Sequence, residues 1–202
     1  MEGNETNMQT PAPEPNVDSI NWVKEIFEWV ACFVIAIVIA MLIKNFIFTL
    51  VKVDGASMNP TLTHGDRLFT RVIGYNKPQA GDIIIFHPPI SKDNKNPQKD
   101  IAYVKRVIAV EGQIVDIDYD GNVIVDGKVL SEDYIKEPID TRYLMTTEFP
   151  FEVPKDSVFV LGDNRNNSHD SRSEDIGAVP LDNIMGKAQF RLWPLTSFGG
   201  LY

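Results

Sequence analysis

The 202-residue chain has a single cysteine, Cys32. No intramolecular disulfide can form, so the fold must rest on its apolar core. Because Cys32 lies inside the one long apolar run, cysteine-nucleophile and cysteine–zinc chemistry are set aside. Basic residues are in deficit, 19 Lys and Arg against 28 Asp and Glu, for a net charge of −9. A nucleic-acid partner is therefore not expected, since phosphate binding needs a basic surface. There is no internal repeat and no alternation of strand and helix patterns, which excludes a parallel α/β architecture. Thirteen prolines and thirteen glycines are too many for a helical bundle and suit short strands joined by turns. With 44% hydrophobic and 23% charged residues, the composition fits one globular domain with something attached.

What is attached stands at the N-terminus. Residues 1–20 are polar and acidic, carry Pro11, Pro13 and Pro15, and show no apolar period, so a disordered tail is expected. From Trp29 to Val51 the one charge is Lys44. That is about 23 residues, roughly 34 Å as a helix, enough to cross a hydrocarbon core of about 30 Å. Trp22 and Trp29 suit an interfacial belt, and Lys44 can reach the opposite surface. A cleavable leader would have a shorter apolar region after a basic start, whereas this start is acidic. A transmembrane anchor helix over 21–50 is expected. Lys24 precedes the span while Lys44, Lys52 and Arg67 follow it, so charge alone leaves the orientation open.

Beyond the anchor, residues 51–202 read as mostly β, a barrel or packed sheets. Short runs of β-formers recur between turn signals: Arg67–Ile73 after Gly65-Asp66, Ile83–Phe86 after Gly81-Asp82, then Ile101–Val110 and Ile114–Tyr119. A hairpin turn at Asp120-Gly121-Asn122 leads to Val123–Val125, and Asp126-Gly127 repeats the signal before Val129-Leu130. Val158–Leu161 and Ile184–Leu192 complete the set. The polar stretch 91–100 reads as a surface loop, and 133–150 has little pattern.

Three stretches carry chemistry. In Val53-Asp54-Gly55-Ala56-Ser57-Met58-Asn59-Pro60-Thr61-Leu62, Ser57 stands between a flexible pair and a rigid turn, either as an ordinary surface turn or as a nucleophile held at a fixed angle. A serine needs a neighbouring base to take its proton. In the strand 101–110, period-two alternation puts Ile101, Tyr103, Lys105, Val107 and Ala109 on one face and Arg106 on the other. A buried lysine loses its preference for the charged form, so Lys105 could serve as a general base near neutral pH, or else it reaches water or an acid. The third stretch, Gly162-Asp163-Asn164-Arg165-Asn166-Asn167-Ser168-His169-Asp170-Ser171-Arg172, holds two acids and two arginines able to pair, in a rigid loop beside a site or in a solvated one.

These stretches, in this order after an anchor, resemble the bacterial type I signal peptidases, membrane-bound endopeptidases with a Ser/Lys dyad. The resemblance covers nearly the whole chain and includes Gly81-Asp82-Ile83 and Tyr103-Val104-Lys105-Arg106-Val107. It implies that Ser57 is the acylated nucleophile and Lys105 the general base, that Ser168 orients the lysine, and that Asp170 and Arg172 form a bracing ion pair. The Ser57 amide would be one oxyanion donor. Some members add a serine hydroxyl two residues before the nucleophile; here that position is Gly55, leaving the second donor to a water or a backbone amide.

The resemblance further implies substrates that are preproteins bearing signal peptides, cut after small residues at the first and third positions before the bond. Val53, Met58, Leu62, Tyr103 and Val104 would line the pocket. It implies an all-β catalytic core with a smaller inserted β region over about 112–154, and no cofactor, metal or obligate protein subunit. It places the protein in the cell membrane as a single-pass chain, N-terminus cytoplasmic and catalytic domain outside. Phe190, Trp193, Pro194 and Phe198 are expected either to meet lipid or to pack in the core. Competing readings are another Ser/Lys protease such as a self-cleaving repressor, a Ser/His/Asp hydrolase using His64, His87 or His169 with Asp170, and a tethered binding module without catalysis.

Overall fold

A computed structural model describes residues 22–42, 48–89, 101–142 and 146–201. The expected tail over 1–20, the expected loop over 91–100, and Lys44 lie outside the described residues. The chain divides into two compact units, Met1–Ala40 and Met41–Tyr202.

The helix α1 spans Trp22–Leu42. Glu25 stands in its first turn, where the partial positive charge of the helix N-terminus favours an acid. The expected helix over 21–50 requires correction at its far end. Phe48–Lys52 is a strand, β1, paired residue for residue with Arg67–Arg71. Its aromatic and β-branched residues suit a pleated surface, and the partner strand supplies the ladder that a helix would have replaced. Among the described residues no helix is long and apolar enough to cross a membrane. Lys24, Glu25 and Glu28 occupy the first two turns of α1.

The second unit is built from β1 (Phe48–Lys52), β2 (Arg67–Arg71), β3 (Ile83–Phe86), β4 (Tyr103–Val110), β5 (Ile114–Ile117), β6 (Val123–Val125), β7 (Lys128–Val129), β8 (Phe151–Glu152), β9 (Ser157–Leu161), β10 (Val179–Pro180), β11 (Ile184–Trp193) and β12 (Gly199–Gly200). The larger sheet runs β1-β2-β11-β3-β4-β9-β10, with β12 also on β11, and every pairing is antiparallel. Its path begins at β1 and stops at β10, so among the described residues it does not close into a barrel. The smaller sheet, β7-β6-β5-β8, falls between Ile114 and Glu152.

Strand β3 explains why its sequence is an unbroken apolar run. Ile83 and Ile85 enter one core with Val53, Met58, Leu62 and Leu68, while Ile84 and Phe86 enter another with Val107, Val158 and Val160. A strand covered on both faces has no position for a polar residue. A third core lies between β4, β9 and the smaller sheet, where Ile108, Ala109, Phe159 and Leu161 meet Val115, Val123 and Val125. Full burial of each such aliphatic or aromatic side chain contributes about 1.5–3 kcal/mol.

Strict alternation along β4 fails at one point. The register against β9 shifts between Val107 and Ala109. Ile108 and Ala109 then enter the same core, while Val110 rejoins the core containing Val107. Ala109 therefore stands on the face opposite to the one expected, because a bulge inserts a residue and resets the alternation. Lys105 and Arg106 precede the bulge, and their opposite orientations are unaffected by it.

Candidate active site

Ser57 lies on the turn that follows β1. The loop is closed by Val53 N–H donating to Asp66 O (2.8 Å) and Gly65 N–H to Val53 O (2.9 Å), and one helical turn is made by Leu62 N–H donating to Met58 O (2.8 Å). Met58 and Leu62 anchor that turn in the core. Asp66 accepts from Thr63 N–H at 3.0 Å, from Thr63 Oγ1 at 3.0 Å and from Arg191 Nη1 at 3.1 Å. Buried hydrogen-bonded carboxylates of this kind hold a loop where propensity alone would leave it loose.

Lys105, on β4, extends Nζ to 2.8 Å from Ser57 Oγ and 3.1 Å from Val104 O. The lysine is only 4% exposed. Burial lowers its pKa to about 8, Asp170 and Asp163 acting to raise it and Arg172 to lower it. A neutral amine at this distance can accept the hydroxyl proton of Ser57.

The loop 162–172 packs behind this pair. Asp170 is fully buried and receives Arg172 Nε and Nη2 at 2.8 and 2.9 Å, with Gly162 N–H at 3.0 Å. Burial pushes its carboxyl up, and the Arg172 guanidinium outweighs that, holding it below the usual carboxylate range. Ser168 Oγ is buried without a hydrogen bond of acceptable geometry to any described residue, Lys105 included. It lies near enough to Asp170 to help lower that carboxyl. The other two charges of the loop pair outside it. Asp163 takes Arg106 Nε and Nη2, each at 2.8 Å, and Arg165 forks onto Glu132. Arg106 in turn lies over the Tyr134 ring, 4.0 Å from its centroid.

A cleft of about 260 Å³ opens beside Ser57 and Lys105. Val53, Met58, Tyr103 and Val104 line it, as do Ala102, Asn167 and His169, which sequence patterning did not single out as lining. Leu62 does not: it has no exposed surface and belongs to the core beneath Met58. Each histidine is paired with a group other than Ser57 or Lys105. His64 Nδ1 is 3.0 Å from Asp54, His87 Nδ1 is 3.0 Å from Ile101 O, and His169 Nε2 is 3.0 Å from Asp175. Asp170, the acid a Ser/His/Asp triad would use, is bound to Arg172.

Two contributors have roles that the sequence did not assign. Asn164 donates from Nδ2 to Ala56 O and from its backbone N–H to Ser57 O, each at 3.0 Å. Glu132, 33 residues from Arg165, lies in the weakly patterned part of the chain. Polar asparagines in a turn-rich loop and an acid in an irregular segment look the same whether or not they face a site.

This geometry can be set beside proteins of related sequence. A family model described as "Signal peptidase, peptidase S26" matches residues 26–193. A signal peptidase I of Leptolyngbya laminosa is 38% identical over 195 residues, covering 96% of this chain and 92% of the relative. A signal peptidase I of Bacillus licheniformis is 38% identical over 185 residues, covering 87% and 93%. A crystal structure of a signal peptidase I from Enterococcus faecalis V583, 33% identical, covers 55% of this chain and 96% of its own, with a TM-score of 0.42, too low to carry a comparison of architecture. The extent and level of the sequence matches place the chain by descent: it belongs to the signal peptidase family, peptidase S26.

Proposed function

We propose that this chain is a membrane-anchored serine endopeptidase that removes signal peptides from exported preproteins. Ser57 acts as nucleophile and Lys105 as general base. The observation that carries this reading is the 2.8 Å approach of a buried Lys105 Nζ to Ser57 Oγ, with the amine pKa lowered to about 8. Neutral Lys105 takes the Ser57 proton as Oγ attacks the scissile carbonyl carbon. The C–N bond then breaks, and the protonated lysine returns the proton to the leaving amine. Water, deprotonated by the same lysine, hydrolyses the ester and frees Ser57. The Ser57 backbone N–H stabilises the oxyanion in both halves.

Specificity for small residues at the first and third positions before the cut follows from the apolar wall of Val53, Met58, Tyr103 and Val104. A pocket gains only about 1–3 kcal/mol per methylene of the ligand, so shallow walls must exclude larger side chains. Leu62 supports Met58 from beneath and does not touch substrate. Asp170 and Arg172 act on Lys105 through charge, and Ser168 acts on it by way of Asp170. The uncharged stretch that starts at Trp29, together with family membership, supports a single N-terminal anchor. The catalytic unit, which begins with β1 at Phe48, stands on the extracytoplasmic side and the N-terminus in the cytoplasm. Exposed Leu50, Trp193, Leu195 and Phe198 supply apolar surface for lipid contact. No nucleic acid, cofactor or further subunit takes part.

The test is cleavage of a signal-peptide-bearing preprotein in detergent by the full chain and by Ser57→Ala, Lys105→Ala and His169→Ala. The first two abolish cleavage and the third retains it. Normal cleavage by Lys105→Ala with loss in His169→Ala would move the mechanism to the histidine.

A further inference from the structure

The two carbonyl groups that flank the Ser57 α-carbon are held by one residue. Asn164 Nδ2 donates to Ala56 O and Asn164 N–H donates to Ser57 O, both at 3.0 Å. Asn164 is 7% exposed. Its place is fixed on both sides in sequence, since Asp163 is bound by Arg106 and Arg165 by Glu132.

We propose that Asn164 is a positioning residue for the reaction: by holding the Ala56 carbonyl it aims and polarises the Ser57 amide that meets the oxyanion. The inference rests on the reading of Ser57 as nucleophile. The Ala56–Ser57 peptide is trans and planar, so its C=O and N–H point in opposite directions, and fixing one fixes the other. A donor on the oxygen also draws electron density from the amide nitrogen and strengthens its N–H, by about 10–30% per bond in condensed-phase estimates. Ala56 O receives two such donors, Asn164 Nδ2 and Asn59 N–H at 3.1 Å. The Ser57 N–H donates to no acceptor among the described residues, which leaves it free for substrate. Gly55 has no hydroxyl to share the developing charge, so the quality of this one amide matters more. The backbone bond from Asn164 N–H to Ser57 O survives any side-chain substitution, which isolates the Nδ2 contact as the variable.

The experiment combines steady-state cleavage of a signal-peptide-bearing preprotein with ¹H–¹⁵N spectra of the labelled full chain in detergent. In the wild type, a scalar coupling across the hydrogen bond from Asn164 Nδ2 to the Ala56 carbonyl carbon is expected, and its absence overturns the proposal. Asn164→Ala lowers kcat about 10- to 100-fold with KM within twofold, leaves the acidic limb of the pH profile in place, and moves the Ser57 amide proton upfield. Asn164→Asp keeps the shape but sets an acceptor against Ala56 O, loses at least as much, and serves if the alanine variant does not fold. Wild-type kcat in a folded variant, or a raised KM with kcat intact, overturns the proposal. An active Ser57→Ala overturns the underlying reading instead, whatever Asn164 does.

Discussion

Gly162 packs so closely against Ser57 that a β-carbon built on it would stand 2.5 Å from the Ser57 carbonyl oxygen and 2.2 Å from Ser168 Oγ. Its backbone angles are ordinary, so space and not conformation requires glycine here. Gly162→Ala must therefore push the turn that carries Ser57 or the 162–172 loop away. Overpacking of this kind costs about 1–3 kcal/mol of stability. Displacement of reacting groups by about 1 Å costs about a hundredfold in rate. The expected result is a folded variant with a modestly lower Tm and at least a hundredfold lower kcat. Normal kcat would show that the turn tolerates the shift.

Under the proposed mechanism the pH profile reports the lysine. Burial places the Lys105 pKa at about 8, and the neutral amine is the form able to accept the serine proton. Below that value kcat/KM should fall by about tenfold per pH unit, and above it the profile should level. A limb near pH 6.5 would point to a histidine in its place.

Asp170 stabilises the ammonium form of Lys105, so its charge raises the lysine pKa. Asp170→Asn removes that contribution and leaves Arg172, which acts in the opposite direction. The acidic limb should move to lower pH in this variant even as kcat falls. A limb that stays in place or moves upward would mean that Asp170 does not act on the lysine through charge.

Arg172→Met leaves the fully buried Asp170 carboxylate without its counter-charge. Breaking one side of a buried pair costs about 3–5 kcal/mol. The folded-state pKa of Asp170 is depressed, so the stabilisation is complete above the unfolded value and is lost as pH falls through the folded one. The gap in Tm between wild type and variant should therefore be largest at neutral pH and narrow below about pH 4. A gap that does not change with pH would mean that lost packing, not charge, is the cause.

How far these features were readable depends on the kind of signal each leaves. Ile83–Phe86 could be read directly, since four consecutive apolar residues between turn signals leave little but a doubly covered strand. Lys105 stood out because an ammonium among Tyr103, Val104 and Val107 conflicts with burial. Phe48–Leu50 reads as helix because apolarity dominates it, and its strand form comes from a ladder partner beginning at Arg67. The bulge after Val107 could not be inferred from β4 alone, because it is defined against β9. The roles of Asn164, inside the third stretch, and of Glu132 were silent for a similar reason: each matters through contacts with distant residues, and neither residue type is unusual where it stands.

Asp163 finds its counter-charge 57 residues back at Arg106, and Arg165 finds its own 33 residues back at Glu132. The loop between them is thus clamped to a strand of the larger sheet and to the irregular segment linking strands of the smaller one. A chain still emerging from synthesis has its serine and its lysine long before it has residues 162–172. The surroundings of Ser57 and Lys105 are therefore completed late, when the strand carrying Arg106, the segment carrying Glu132 and the loop have come together.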